Sequence, residues 1–208
     1  MNLPKNSFRL AGAGLVAILG FTSPLAQAEG LGSFLYEMTQ PPVPKPNPQL
    51  QKTREAIDTL TAENYISFSP SKPTAHVYVF ADATCPYTRE LHKKVPEFNA
   101  KGIEVRYVAA PRGEATGPAW ALYKNIWCSD NPKQAFDDAV KGKSVKAQTC
   151  SKNDLRTLIP QDYLGKALEI SGTPTTFYQD GHRVGGVQAT ADLPERANWA
   201  AKIMANAR

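Results

Sequence analysis

The stretch Ala75-His76-Val77-Tyr78-Val79-Phe80-Ala81-Asp82-Ala83-Thr84-Cys85-Pro86-Tyr87-Thr88 decides the fold. Residues 75–80 are β-branched and aromatic and read as a buried strand. A turn follows, and Pro86 suits the first position of a helix because the amide hydrogen it lacks has no helical partner there. The helix is predicted from Pro86 to about Phe98, with Leu91 and Val95 on one face. Ile103-Glu104-Val105-Arg106-Tyr107-Val108 alternates apolar and polar residues and reads as a second strand. Strand, helix and strand together imply a parallel pair joined by a right-handed crossover.

Outward from this unit the pattern changes. Gly113 to Ser171 is helical, with segments near 117–128, 132–141 and 161–170 divided by Asn131-Pro132, Gly142 and Pro160. Thr175–Gln179, the turn Asp180-Gly181 and Arg183–Val187 read as a hairpin. Asp192 is placed to cap a last helix, with Glu195 as its reciprocal partner. Upstream, residues 50–60 have helix-forming composition, and Pro41 to Pro48 holds five prolines in eight residues, which favours an extended spacer or docking segment. The predicted class is α/β: a thioredoxin-like fold with a helical insertion, about 113–171, between a β-α-β half and a β-β-α half. The expected division is a signal peptide over 1–28, a Pro-rich segment and linker helix over 29–60, and the thioredoxin-like domain over 61–208.

The signal-peptide reading rests on basic Lys5 and Arg9, an apolar run from Leu10 to Phe21, and Ala26-Gln27-Ala28 as a small-x-small cleavage site. That run falls short of the ~20 residues a membrane helix needs, so the expectation is an exported protein that is not an integral membrane protein after cleavage. Removing Lys5 and Arg9 lowers the formal net charge from +5 to +3. The small lysine clusters at 93–94 and 141–146 lack interleaved aromatic platforms, so nucleic acid is not an expected partner. Three cysteines in an oxidising compartment suggest one pair and one free thiol.

Cys85 lies where the strand gives way to the helix. There a sulfur meets unpaired backbone N–H groups and the positive end of the helix dipole, both of which favour the thiolate nucleophile. Thr88, one turn on, can donate a further hydrogen bond. His92 is about 10 Å along the helix from Cys85, too far for a Cys–His dyad. With three histidines and no Cys-x-x-Cys, no metal site is expected. Asp82 reads as a turn cap, and Trp120, Tyr123 and Trp127 as core of the insertion.

Phe80-Ala81-Asp82-Ala83-Thr84-Cys85-Pro86-Tyr87, followed by Leu91-His92, resembles the active-site segment of the DsbC and DsbG disulfide interchange proteins. The likeness continues in Val105-Arg106-Tyr107, Ile126-Trp127-Cys128, Ala135-Phe136-Asp137-Asp138 and Gly142-Lys143-Ser144-Val145, then Cys150 and Ser171-Gly172-Thr173-Pro174, covering roughly 64–205. It implies that Cys85 is the attacking cysteine, with Pro86 and Tyr87 beside it in the substrate-binding surface. It implies too that Thr173-Pro174 is the substrate-binding loop whose cis proline faces the sulfur. By the same resemblance Cys128 and Cys150 form a structural disulfide, and closing that loop contributes roughly 3 kcal/mol in the chain-entropy model.

The family's second active-site cysteine is replaced by Thr88. A threonine cannot resolve a mixed disulfide, so release falls to the client's own thiol or to an external one such as glutathione; no other cofactor is expected. The implied partners are exported cysteine-containing proteins and a periplasmic thiol reductase, and the implied location is the periplasm. The dimerising members carry an N-terminal domain for which residues 29–60 leave little room. Three readings follow: a one-thiol interchange enzyme with Cys85 and Thr88 as catalytic residues, a redox-inactive peptide-binding or assembly protein on the same fold, or a reductase of glutathionylated or sulfenylated cysteines, which also needs only one thiol.

Overall fold

The computed structural model describes residues 47–147, 149, 158–187 and 191–206. The signal peptide, most of the Pro-rich segment and Cys150 lie outside them. In chain order the elements are α1 (Pro48–Ile57), a 3-10 turn (Ala62–Asn64), β1 (Ile66–Phe68), β2 (Ala75–Ala81), α2 (Pro86–Lys93) and α3 (Val95–Ala100). β3 (Ile103–Ala109), α4 (Pro118–Trp127), α5 (Pro132–Val140), α6 (Leu158–Ala167), β4 (Thr175–Tyr178), β5 (Arg183–Gly185) and α7 (Leu193–Asn206) follow.

The five strands form one sheet in the order β1-β3-β2-β4-β5. β2 and β3 run parallel, with Val77 opposite Val105 and Val79 opposite Tyr107, and every other pairing is antiparallel. Alternation along β2 divides the core between two faces, as the period of two requires. Val77, Val79 and Ala81 join Leu91, Phe98, Tyr123, Phe136 and Ala197 on one side. Tyr78 and Phe80 pack with Ile57, Leu60, Val108 and Phe177 on the other. This is the expected α/β class, and among the described residues three helices, α4, α5 and α6, are inserted between β3 and β4.

Three details differ from the sequence reading. The helix predicted over 86–98 is two helices divided at Lys94, because Pro96 has no N–H to give the carbonyl of His92 and its ring crowds that turn. β1 was not predicted; its three residues Ile66, Ser67 and Phe68 are too few for a period to register, and pairing with β3 holds them. Finally, α1 is not a linker. Ile57 and Leu60 enter the second core face, and the Arg54 guanidinium reaches the Met204 sulfur. The turn between β4 and β5 also closes on α1: Gly181 has φ +88, and a Cβ there would collide with the Leu50 carbonyl. The domain therefore includes α1, in keeping with a compact unit that spans Val43–Arg208.

Candidate functional site around Cys85

Among the described residues, proline starts four helices at their first position: Pro48, Pro86, Pro118 and Pro132. For α1 and α5 the preceding asparagine caps the turn through its side-chain oxygen, Asn47 from Gln49 and Leu50 N–H and Asn131 from Gln134 N–H. At α2 the capping position is Cys85, with extended backbone (φ −73, ψ 126) and no side-chain cap bond. Sulfur is a weak acceptor, so the first turn of α2 keeps its field for a charged sulfur.

Cys85 is a free cysteine, 4% exposed. Its cover is thin, since Thr84, Pro86 and Tyr87 are all exposed, Tyr87 at 63%. Its S–H donates to the Thr173 carbonyl at 3.2 Å, and the Thr173–Pro174 peptide is cis. The sequence-expected residues Cys85, Pro86, Tyr87, Thr88, Thr173 and Pro174 thus come to one place, across 88 positions of chain. The loop is held by Thr175 Oγ1 donating to Gly172 O at 2.7 Å and by Gly186 N donating to Pro174 O at 2.8 Å.

Burial alone raises the Cys85 pKa, but it is outweighed by the Thr173 side chain, the Thr88 and Tyr87 backbone N–H groups and the Arg112 charge, so the thiol ionises below its ordinary value. The hydroxyls of Thr88 and Thr173 are both buried and make no hydrogen bond of ordinary geometry in the thiol form. A thiolate gives such donors the acceptor that a neutral thiol scarcely offers.

Beneath the sulfur, Asp82 is fully buried and ties the turn together. Its Oδ1 accepts from Thr84 N at 2.7 Å and Thr84 Oγ1 at 2.6 Å; its Oδ2 accepts from Arg112 N at 3.0 Å and Nε at 2.8 Å. Burial raises the carboxyl pKa, and these four bonds together lower it below the ordinary value. Asp82 therefore stays ionised and acts as the turn cap. Arg112, which follows β3, was missed by sequence reasoning. No local pattern marks it, because its partner lies 30 positions away.

His92 sits at the other end of α2. It hydrogen-bonds Tyr107 Oη and Asp137 Oδ1, each at 3.0 Å, and takes no part in the sulfur site. A cavity of about 490 Å3, lined by Phe68, His92, Val95, Asp137 and Val140, lies at that end and does not reach Cys85. Tyr123 is fully buried, with its hydroxyl donating to Ala81 O, and Trp127 stacks on it at 5.6 Å. Trp120 is half-buried. Cys128 is disulfide-bonded, while Cys150, the partner the resemblance implies, lies outside the described residues. Among the described residues there is no group of side chains able to hold a metal, and no helix long and apolar enough to cross a membrane.

Residues 66–197 match the family model of the thioredoxin-like domain, and the chain belongs to that family. Within it, the chain is similar to the thiol:disulfide interchange protein DsbC. It is 40% identical to that of Salmonella typhimurium over 118 residues, covering 56% of this chain and 48% of the relative. To that of Escherichia coli it is 34% identical over 155 residues, covering 74% and 62%. The chain thus spans about half to three-fifths of the length of these relatives. The fold is shared with a disulfide interchange protein from Neisseria gonorrhoeae at TM-score 0.57 and 19% identity, covering 67% of this chain and 99% of that one. It is shared also with Proteus mirabilis ScsC in a compact conformation at TM-score 0.53 and 16% identity, covering 86% and 91%.

Proposed function

We propose that this chain is an exported thiol:disulfide interchange protein that works through Cys85 alone. The observation that carries the reading is a free sulfur at the start of α2, with a lowered pKa, against the Thr173 carbonyl and with Thr88 one turn on. The Cys85 thiolate attacks one sulfur of a client disulfide; the Cys85–client bond forms and the client's other sulfur leaves as a thiolate. Position 88 has no thiol to reverse the step from within. The mixed disulfide is opened instead by a different cysteine of the client, which yields an isomerised client, or by an external thiol, which yields a reduced one. Pro86, Tyr87 and the Thr173-Pro174 loop form the surface that receives the client chain. Residues 1–28 serve as the signal peptide, the periplasm is the site of action, and Cys128 pairs with Cys150.

The experiment is refolding of a scrambled disulfide substrate with glutathione present. The full activity is expected to vanish in Cys85→Ala, and equal activity in both proteins would dismiss the proposal. The competing reading, a redox-inactive binding protein on the same fold, predicts that Cys85→Ala leaves partner binding intact and that wild-type protein shows no refolding activity.

A further inference from the structure

The loop after β3, Ala110-Pro111-Arg112-Gly113, stands across from α6, and between them lies a cleft of about 240 Å3 that ends at Thr173. Thr173 is the residue whose carbonyl takes the Cys85 S–H, so the cleft adjoins the reactive sulfur. Its size sets what it can hold. Sites that enclose a whole drug-sized ligand run to roughly 300–1,000 Å3; this one has room for a small thiol or a single side chain, and not for a folded client.

Charge narrows the choice. Arg112 and Lys166 line the cleft against one carboxylate, Asp162. The Arg112 guanidinium is anchored by Nε on the buried Asp82 and by Nη2 on Thr84 Oγ1 at 3.3 Å, yet its side chain is 58% exposed. Lys166 pairs with Asp162 at 2.6 Å while 71% exposed, so its ammonium keeps donors for a ligand. Thr173, whose carbonyl takes the Cys85 S–H, belongs to the same lining and places the cleft beside the sulfur. Both cations are paired, Arg112 with Asp82 and Lys166 with Asp162, but their side chains are more than half exposed, and donors left free on them suit a carboxylate-bearing thiol better than a neutral or cationic one.

We propose that this cleft receives the small acidic thiol that opens the Cys85 mixed disulfide, with Arg112 and Lys166 reading its carboxylates. The inference rests on the one-thiol reading above. The incoming thiolate attacks Cys85 Sγ, the bond to the client breaks, and the client sulfur leaves as a thiolate that takes a proton from water. Cys85 is then disulfide-bonded to the small thiol. A second molecule of that thiol attacks the bound one, their disulfide departs, and the Cys85 thiolate returns. Two thiols are oxidised to one disulfide and one client disulfide is reduced to two thiols.

The test loads Cys85 of the mature chain with an uncharged cysteine peptide from its 2-pyridyl disulfide. Release is timed with glutathione, mercaptoethanol and cysteamine. Each rate is divided by that of the same thiol on the free peptide–cysteine disulfide, which removes differences in intrinsic reactivity. Glutathione should be favoured over mercaptoethanol about fivefold, the Coulomb effect of one cation at contact distance in water, and cysteamine disfavoured. Added salt should shrink the preference. Lys166→Glu should abolish or invert it, and Lys166→Arg should keep it. Equal normalised rates for the three thiols, or a preference that survives Lys166→Glu, would overturn the proposal while leaving the one-thiol reading intact. Failure to form the mixed disulfide at all would remove both.

Discussion

The two ends of α2 carry two titratable side chains and are finished in opposite ways. At the last turn, His92 has both ring nitrogens bonded, to Tyr107 and Asp137, inside a cage of Phe68, Tyr107 and Phe136. At the first turn, Cys85 lies under a thin cover, beside the buried Thr88 hydroxyl, which has no hydrogen-bond partner. Both pKa values are lowered, with opposite consequences. Burial is the larger influence on His92, opposed by Asp137, and it keeps the ring neutral. For Cys85 burial acts the other way and is overcome by donors and the Arg112 charge, which shifts the balance toward the thiolate. One end is saturated and serves the fold. The other leaves donors unused, and a reacting sulfur can claim them.

The contrast breaks most directly at the saturated end. His92→Ala strands Tyr107 Oη and Asp137 Oδ1 and opens a gap among aromatic rings, which should cost about 3 kcal/mol of stability in denaturant unfolding. The alkylation rate of Cys85 by iodoacetamide should change less than about twofold, since one whole helix separates the two sites. A large fall in that rate would show the two ends to be coupled.

Acid should act next. The His76 pKa is lowered to about 4, by burial first and then by the Arg106 charge, and that of His92 is lowered as well. Between the ordinary histidine value near 6.5 and those folded values, the unfolded chain holds protons the folded chain does not. Stability should therefore fall as pH drops through this window, by no more than about 3 kcal/mol from His76, as read by thermal melts across pH. The thiol should be felt at the alkaline side. Between the folded Cys85 pKa and the ordinary thiol value near 8.5, the unfolded chain again holds the extra proton, so this contribution grows as pH rises and is lost as pH falls through the folded value. Melts that are flat from pH 4 to 6.5 would contradict the histidine account.

The smallest effect sharpens the reactive end. Thr88→Val removes a buried hydroxyl that has no partner and keeps the shape, so stability should stay level or rise by up to about 1 kcal/mol. The same change should slow Cys85 alkylation at pH 7 and move its pH midpoint upward. A loss of stability with no change in reactivity would assign Thr88 to the fold rather than to the sulfur.

Local physical chemistry determined much of this protein before any contact was known. Short-range periodicity marked β2 and β3, proline at the first helical position marked the start of α2, and together they put Cys85 at a strand–helix junction. The resemblance in the loop before β4 supplied the Thr173-Pro174 partner. What tertiary structure alone decided has a common cause, because each feature depends on groups that meet across long stretches of chain. Pairing with β3 made a strand of Ile66–Phe68, two core residues drew α1 into the domain, and Arg112 reached back 30 positions to neutralise Asp82 beneath the sulfur. A sequence states which residues can donate, accept or ionise; only packing decides which of them find a partner and which are left with none.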